Sequence, residues 1–173
     1  LLAEDHEVNQ LLAKKLLEKM GVKSVDLANN GLEAFKMTAE KEYDIILMDC
    51  QMPEMDGYEA TREIREREIT SGNHTPIVAM TANAMAGDKE KCIEHGMDDY
   101  VSKPINIPKF KKALFAWIGD IDKDFAGVTE EIASNNKIED NPVDMEHLRM
   151  FTDGDVQIEK ELFEAFLTQA DDS

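Results

Sequence analysis

The sequence predicts one parallel α/β sheet with helices on both faces, followed by a short helical segment. Three observations carry this. Strand and helix signals alternate through residues 1–118, the pattern of a parallel sheet built from β-α-β units. The strongest strand, Ile45-Ile46-Leu47-Met48, is a continuous apolar run, as expected of a strand buried on both faces. It ends on Asp49 and a loop containing Pro53 and Gly57. One carboxylate is thereby delivered to the carboxyl edge of the sheet, where open α/β folds place their ligand sites.

The elements follow in order. Leu1-Leu2-Ala3 is the remainder of a first strand, and because it starts inside an apolar run the natural chain is expected to begin earlier. Glu7 to Met20 carries Val8, Leu11, Leu12, Leu16 and Met20 at helical spacing, and Gly21 stops it. Ser24 to Leu27 is a short strand. Asn30 caps a helix running to about Lys41, with Leu32, Phe35 and Ala39 facing inward. After the strand before Asp49 comes a helix from Tyr58 to about Glu68. Pro76 to Met80 is a buried strand ending at Thr81. Met85 to His95 is a helix with a thin apolar stripe of Met85, Cys92 and Ile93, stopped by Gly96. Tyr100-Val101 is the fifth strand, ahead of Lys103-Pro104. Pro108 opens a last helix, whose apolar face is Phe110, Ala113, Leu114, Trp117 and Ile118.

Composition narrows the function classes. The 173 residues carry a net charge of −18, and 16 of the 37 acids but 4 of the 19 bases fall in residues 119–173. Neither part has the basic surface that replaces phosphate counterions on nucleic acid. No apolar run approaches the roughly 20 residues of a membrane helix, and no secretory signal is visible. Two cysteines, Cys50 and Cys92, suggest buried reduced thiols rather than a disulfide framework. His6, His74 and His95 lack metal-type spacing and read as surface residues.

Strand ends carry the candidate chemistry: Glu4 and Asp5, Asp49, Thr81, and Lys103. Three carboxylates at one edge are costly unless a cation joins them. Hard oxygen ligation suits Mg²⁺, or Mn²⁺, with a substrate phosphoryl oxygen completing the shell. A hydroxyl and an ammonium opposite suit the remaining phosphoryl oxygens. The set fits phosphoryl transfer with Asp49 as nucleophile. Each residue also has an ordinary reading: Glu4 and Asp5 precede a helix they could cap, Thr81 could bond its own backbone, Lys103 could be a solvated lysine, and Tyr100 could be half-buried core. Dinucleotide and ATP sites are disfavoured because no Gly-rich phosphate loop is present.

Taken in order, these motifs resemble the receiver domain of two-component signalling across residues 1–118. The match consists of Glu4-Asp5, Asp49 with Met52-Pro53 and Asp56-Gly57, Thr81-Ala82, and Tyr100 three residues before Lys103-Pro104. The runs Glu4-Asp5-His6 with Asn9, Asp49 to Pro53, and Met80 to Ala84 look like receivers attached to hybrid histidine kinases. The resemblance implies a flavodoxin-like, doubly wound receiver fold of five parallel strands. It implies that Asp49 takes phosphate from the phosphohistidine donor domain of a histidine kinase. Mg²⁺ would be held by Glu4, Asp5, Asp49 and the backbone carbonyl of Gln51. Thr81 and Lys103 would bind phosphoryl oxygens, Tyr100 would change rotamer with Thr81, and the Lys103–Pro104 bond would be cis. Ala82 would leave room for the phosphoryl group, and Gln51 and Asn83 would tune its lifetime. The chain would be a cytoplasmic fragment of a hybrid kinase, lacking the kinase domain and catalysing its own aspartyl phosphorylation.

Residues 119–142 read as a linker. Residues 143–173, with helix candidates at 145–150 and 156–170, resemble the start of a histidine-containing phosphotransfer domain, here truncated. His147 lacks the His-x-Leu-Lys-Gly context and is not assigned a phosphotransfer role. The exposed apolar side of the second candidate would dock on the receiver or on a second copy, giving a homodimer. Two competing functions remain at this stage. A non-phosphorylated interaction scaffold would use the same fold. An aspartyl-phosphate phosphatase of the haloacid-dehalogenase type would need an Asp two residues after the nucleophile, where this chain has Gln51.

Overall fold

The structure, a computed structural model, describes residues 1–82 and 86–119. The chain runs β1 (Leu2–Ala3), α1 (Glu7–Lys19), β2 (Leu27–Ala28), α2 (Gly31–Glu40), β3 (Ile46–Asp49), α3 (Gly57–Ser71), β4 (Ile77–Thr81), α4 (Ala86–Glu94), β5 (Asp99–Ser102) and α5 (Ile107–Ile118). All strand pairings are parallel, in the order β2-β1-β3-β4-β5. The order reverses direction at β1, whose neighbours are β2 and β3, and that is the switch point where a doubly wound sheet opens a crevice.

Alternation along the strands divides the core into two layers. Leu2, Leu47, Val78, Met80 and Val101 pack with Ala13, Leu16 and Leu17 of α1 and Phe110, Ala113 and Leu114 of α5. Ala3, Ile46, Met48, Ile77 and Ala79 pack with Ala34 of α2, Tyr58, Ala60 and Ile64 of α3, and Cys92 of α4. β3 and β4 are buried at every position, which is why the sequence shows an unbroken apolar run there.

Helix ends follow local chemistry. Asn30 accepts from the Glu33 amide at 2.8 Å, Asp56 from Glu59 at 2.8 Å, and Asn106 from Lys109 at 3.1 Å, each satisfying an otherwise unpaired first-turn donor. α3 extends to Ser71, past the expected Glu68, because Gly72 supplies the left-handed turn (φ 74°) that ends it.

Several expectations are corrected. β2 is Leu27–Ala28 rather than 24–27, since only those two residues reach β1 in register. Ala39 is exposed, and α2 turns Gly31 and Ala34 to the core instead. Ile93 is 47% exposed although Cys92 is fully buried, because adjacent helical residues point about 100° apart. Trp117 is 39% exposed, while Ile118 on the same helix stays half-buried against the core beside Leu114. Met85, Asn83, the expected linker beyond Gly119 and both tail helices lie outside the described residues.

The edge opposite the carboxyl ends is closed by an ionic network. Arg65 of α3 donates to the Gly96 carbonyl (2.8 Å), the Thr75 carbonyl (2.9 Å), Asp98 (2.6 Å) and Glu68. Glu68 accepts from the Thr75 amide at 2.7 Å, Asp98 from the Ile77 amide at 2.7 Å. Exposed His74 meets Asp98 at 2.7 Å. Among the described residues no buried side-chain polar atom lacks a partner.

Candidate functional site

The site sits where the apolar strands run out. Glu4 follows β1, Asp49 ends β3, Thr81 ends β4, and Lys103 follows β5. Register places the Asp49 end level with Met80 and the Thr81 end level with Ser102, so all four lie on one edge. By strand alternation, Asp49 and Lys103 continue the α1/α5 side through Leu47 and Val101, while Thr81 and Tyr100 continue the other side through Ala79.

The centre is a lysine between two buried acids. Lys103 Nζ donates to Glu4 Oε2 and Asp49 Oδ2, both at 2.6 Å. Glu4 is 1% exposed and Asp49 6%. The other Asp49 oxygen, Oδ1, accepts from the Gln51 backbone N–H at 3.1 Å. Burial pushes the Asp49 carboxyl above the ordinary aspartate range and Glu4 adds to this; the Lys103 charge and hydrogen bond and the Gln51 N–H oppose it in part. Burial pulls the Lys103 ammonium down, but Asp49 and Glu4 more than reverse it and hold it above the ordinary lysine range.

Asp5 is exposed, yet one of its oxygens lies within 4.8 Å of ligand oxygens from both Glu4 and Asp49. Three carboxylates against one ammonium leave a surplus of negative charge lined with hard oxygens. That donor set fits a small divalent cation such as Mg²⁺.

Thr81 is 5% exposed, and its backbone carbonyl accepts from the Lys103 N–H at 2.6 Å, tying the two strand ends together. The Lys103–Pro104 peptide is cis. Tyr100 is half-buried with the Lys89 ammonium 5.8 Å from its ring centroid. Ala82 is exposed. Cys50, beside Asp49, is buried, and burial, with smaller contributions from Cys92 and Asp49, pushes its thiol up to about 12 against an opposing hydrogen bond from Tyr58.

Sequence reasoning missed residues that support the site. Gly57 N–H donates to the Cys50 carbonyl at 3.2 Å, and a Cβ at Gly57 would stand 2.0 Å from the Asp49 carbonyl oxygen. Only glycine permits that approach. Asn9 of α1 donates to Glu4 Oε1 at 2.9 Å, and Gln10 donates to the Glu4 carbonyl and, at 3.0 Å, to Asn29. The Gly in Asp56-Gly57 was a signal for the first, and the polar pair Asn9-Gln10 inside an amphipathic helix was one for the second.

This geometry agrees with comparisons to known proteins. A hybrid signal transduction histidine kinase of Dictyostelium discoideum is 51% identical over 111 residues, 61% of this chain and 6% of that protein. A two-component system protein of Emericella nidulans is 45% identical over 121 residues, 69% of this chain and 17% of that protein, so the chain spans only a small part of the length of these curated relatives. Among solved structures, the receiver domain of a Pseudomonas aeruginosa sensor histidine kinase, with a magnesium ion in its active-site cleft, is 44% identical at a TM-score of 0.61, covering 68% of this chain and 94% of that one. A Saccharomyces cerevisiae receiver domain, crystallised with a histidine phosphotransfer protein, is 34% identical at a TM-score of 0.62, covering 67% and 85%. The response regulator receiver domain model matches residues 1–115, the span that holds the sheet, the carboxylate cluster and Lys103, and the chain belongs to that family.

Proposed function

We propose that Asp49 accepts a phosphoryl group from a phosphohistidine and that the modified domain then switches conformation. One observation carries the reading: the Asp49 carboxylate is grouped with Glu4 and Asp5 and bridged to Lys103 at 2.6 Å. Glu4, Asp5, Asp49 and the backbone carbonyl of Gln51 would hold Mg²⁺, which when bound neutralises phosphoryl charge. An Asp49 oxygen forms the new bond to phosphorus as the P–N bond to the donor imidazole breaks, and the imidazole leaves with the electron pair. Lys103 releases its carboxylates and takes up a phosphoryl oxygen. Thr81, at the next strand end, donates its hydroxyl to another. Drawing Thr81 toward the phosphoryl group frees space for Tyr100 to turn inward on the α4 side.

The donor is a histidine-bearing domain, a pairing supported by the yeast receiver complex. A phosphotransfer domain downstream, a second copy of the chain as partner, and a cytoplasmic place within a longer hybrid kinase belong to the same reading. No helix among the described residues is long and apolar enough to cross a membrane.

The test is intact mass after incubation with a small phosphodonor and Mg²⁺. One added phosphoryl group is expected, not formed when the cation is chelated beforehand and absent in Asp49→Asn. Undiminished labelling in Asp49→Asn sinks the assignment.

A further inference from the structure

Glu4 is almost fully buried, so both of its carboxylate oxygens need partners inside the protein. Oε2 is taken by Lys103 at 2.6 Å, on the cleft side. Oε1 is taken by the Asn9 side-chain amide at 2.9 Å. The main chain of Glu4 is fixed separately. Its N–H donates to the Ala28 carbonyl at 3.0 Å, and its carbonyl accepts from Gln10. Gln10 also reaches Asn29, which donates in turn to Glu33 at 2.9 Å. With the backbone pinned by these bonds, the remaining freedom of Glu4 lies in its side-chain torsions, and the Asn9 bond to Oε1 opposes their change.

The chemistry of the residue at position 9 matters. Asn is a weak helix former and sits in the opening turns of α1, so helix stability gives no reason for it there. Its amide donates without bringing charge. An uncharged donor fixes the carboxylate while leaving the negative surplus of Glu4, Asp5 and Asp49 intact. A lysine or arginine in its place would act as a second internal cation.

We infer that Asn9 is a positioning residue for the cation site: by holding Glu4 Oε1 on the α1 side, it presents Oε2 to the cleft that Lys103 and the divalent cation share. This rests on the proposed function, since it assigns a determinant of cation affinity at that site.

The experiment titrates Mg²⁺ into the full chain by calorimetry, without phosphodonor, for the native protein, Asn9→Leu and Asn9→Gln. Leu keeps the branching at Cγ and removes the donor; Gln keeps the amide. The Mg²⁺ dissociation constant is expected to rise about 10-fold in Asn9→Leu, the low end of the effect of removing a group that orients a metal ligand, and to recover in part in Asn9→Gln. Thermal unfolding in chelator separates a merely structural role, which moves the midpoint and leaves the Mg²⁺ constant alone. A constant within twofold of native in Asn9→Leu overturns the inference, as does a Gln variant no better than Leu. If Asn9→Leu does not fold, the Asn9 side-chain NH₂ resonances of the native protein are followed through the same titration; a saturable shift supports the inference and unmoved signals overturn it. A native protein that binds no Mg²⁺ rejects the proposed function along with it, whereas native binding with an indifferent Asn9 rejects the inference alone.

Discussion

Lys103 is held at the same distance, 2.6 Å, by Glu4 from the first strand end and by Asp49 from the third. The ammonium therefore acts as an internal counter-ion for two buried acids. Removing it leaves both uncompensated while sparing the apolar layers. Lys103→Met is expected to keep the fold, raise the pH at which Asp49 takes up a proton, and slow phosphodonor labelling about 10²-fold, the usual effect of removing one donor aimed at developing charge. The labelling rate checks the last of these, and a carboxyl-carbon NMR titration in chelator checks the second: burial holds the metal-free Asp49 carboxyl above the ordinary aspartate range in the native protein, and it is expected higher still in the variant.

The same raised pKa has a consequence for stability. A group whose folded pKa exceeds its unfolded value binds more protons when folded, so it contributes stability at low pH that is lost as pH rises through the folded value. For Asp49 that loss begins near the unfolded value of 3.8. Asp49→Asn removes it. Urea unfolding at pH 4 and pH 7 is expected to show a stability gain between the two pH values that is larger in the variant than in the native protein. Equal gains refute the assignment.

Arg65 makes four hydrogen-bonded contacts at the opposite edge, tying α3 to the turn after α4 and to the start of β4. Arg65→Ala leaves Glu68 and Asp98 without their main cation, and because the pairs are only partly buried the expected cost is at or below the low end, about 3 kcal/mol, of breaking a buried pair. Chemical denaturation measures it. The site lies at the far edge, so labelling of Asp49 is expected to persist under conditions where the variant remains folded.

The Cys50 thiol, pushed from 9.0 to about 12, carries about 10³-fold less thiolate at neutral pH than an ordinary cysteine. Iodoacetamide is expected to leave Cys50 unmodified in the native protein and to alkylate it fully in denaturant. Peptide mass spectrometry distinguishes the two.

Gly57 and Gly72 form a matched pair of alanine tests. Ala at Gly57 drives a methyl group against the Asp49 carbonyl, whereas at Gly72 nothing lies within 4 Å of the added atom and the cost is the φ of +74° alone. Gly57→Ala is expected to lose about 3 kcal/mol or more together with Asp49 labelling. Gly72→Ala is expected to lose about 1 kcal/mol and to label normally.

What was legible in the sequence was whatever a strand end marks. Asp49 and Thr81 each terminate an apolar run, and Lys103 stands two residues past Val101, so the switch from apolar to polar announces them. The role of Asn9 leaves no local signal, because its partner Glu4 is reached only when α1 folds back over the end of β1. Arg65 and Asp98 were invisible as a pair, since they stand 33 residues apart and each reads locally as another charge on a helix or turn. Hydrophobicity alone predicts that Ile93 faces inward. Its exposure follows from helix geometry, which turns it about 100° away from buried Cys92.

The alternation of the strands gives the sheet edge a division of labour. Asp49 and Lys103 stand on the side of α1 and α5, and Thr81 and Tyr100 on the side of α2, α3 and α4. A group seated at the edge touches both layers without any strand having to move. Under the proposed function, the surface that selects a donor and the surface that is read afterwards can then diverge independently, one helix layer at a time, while the five strands between them remain an unchanging partition.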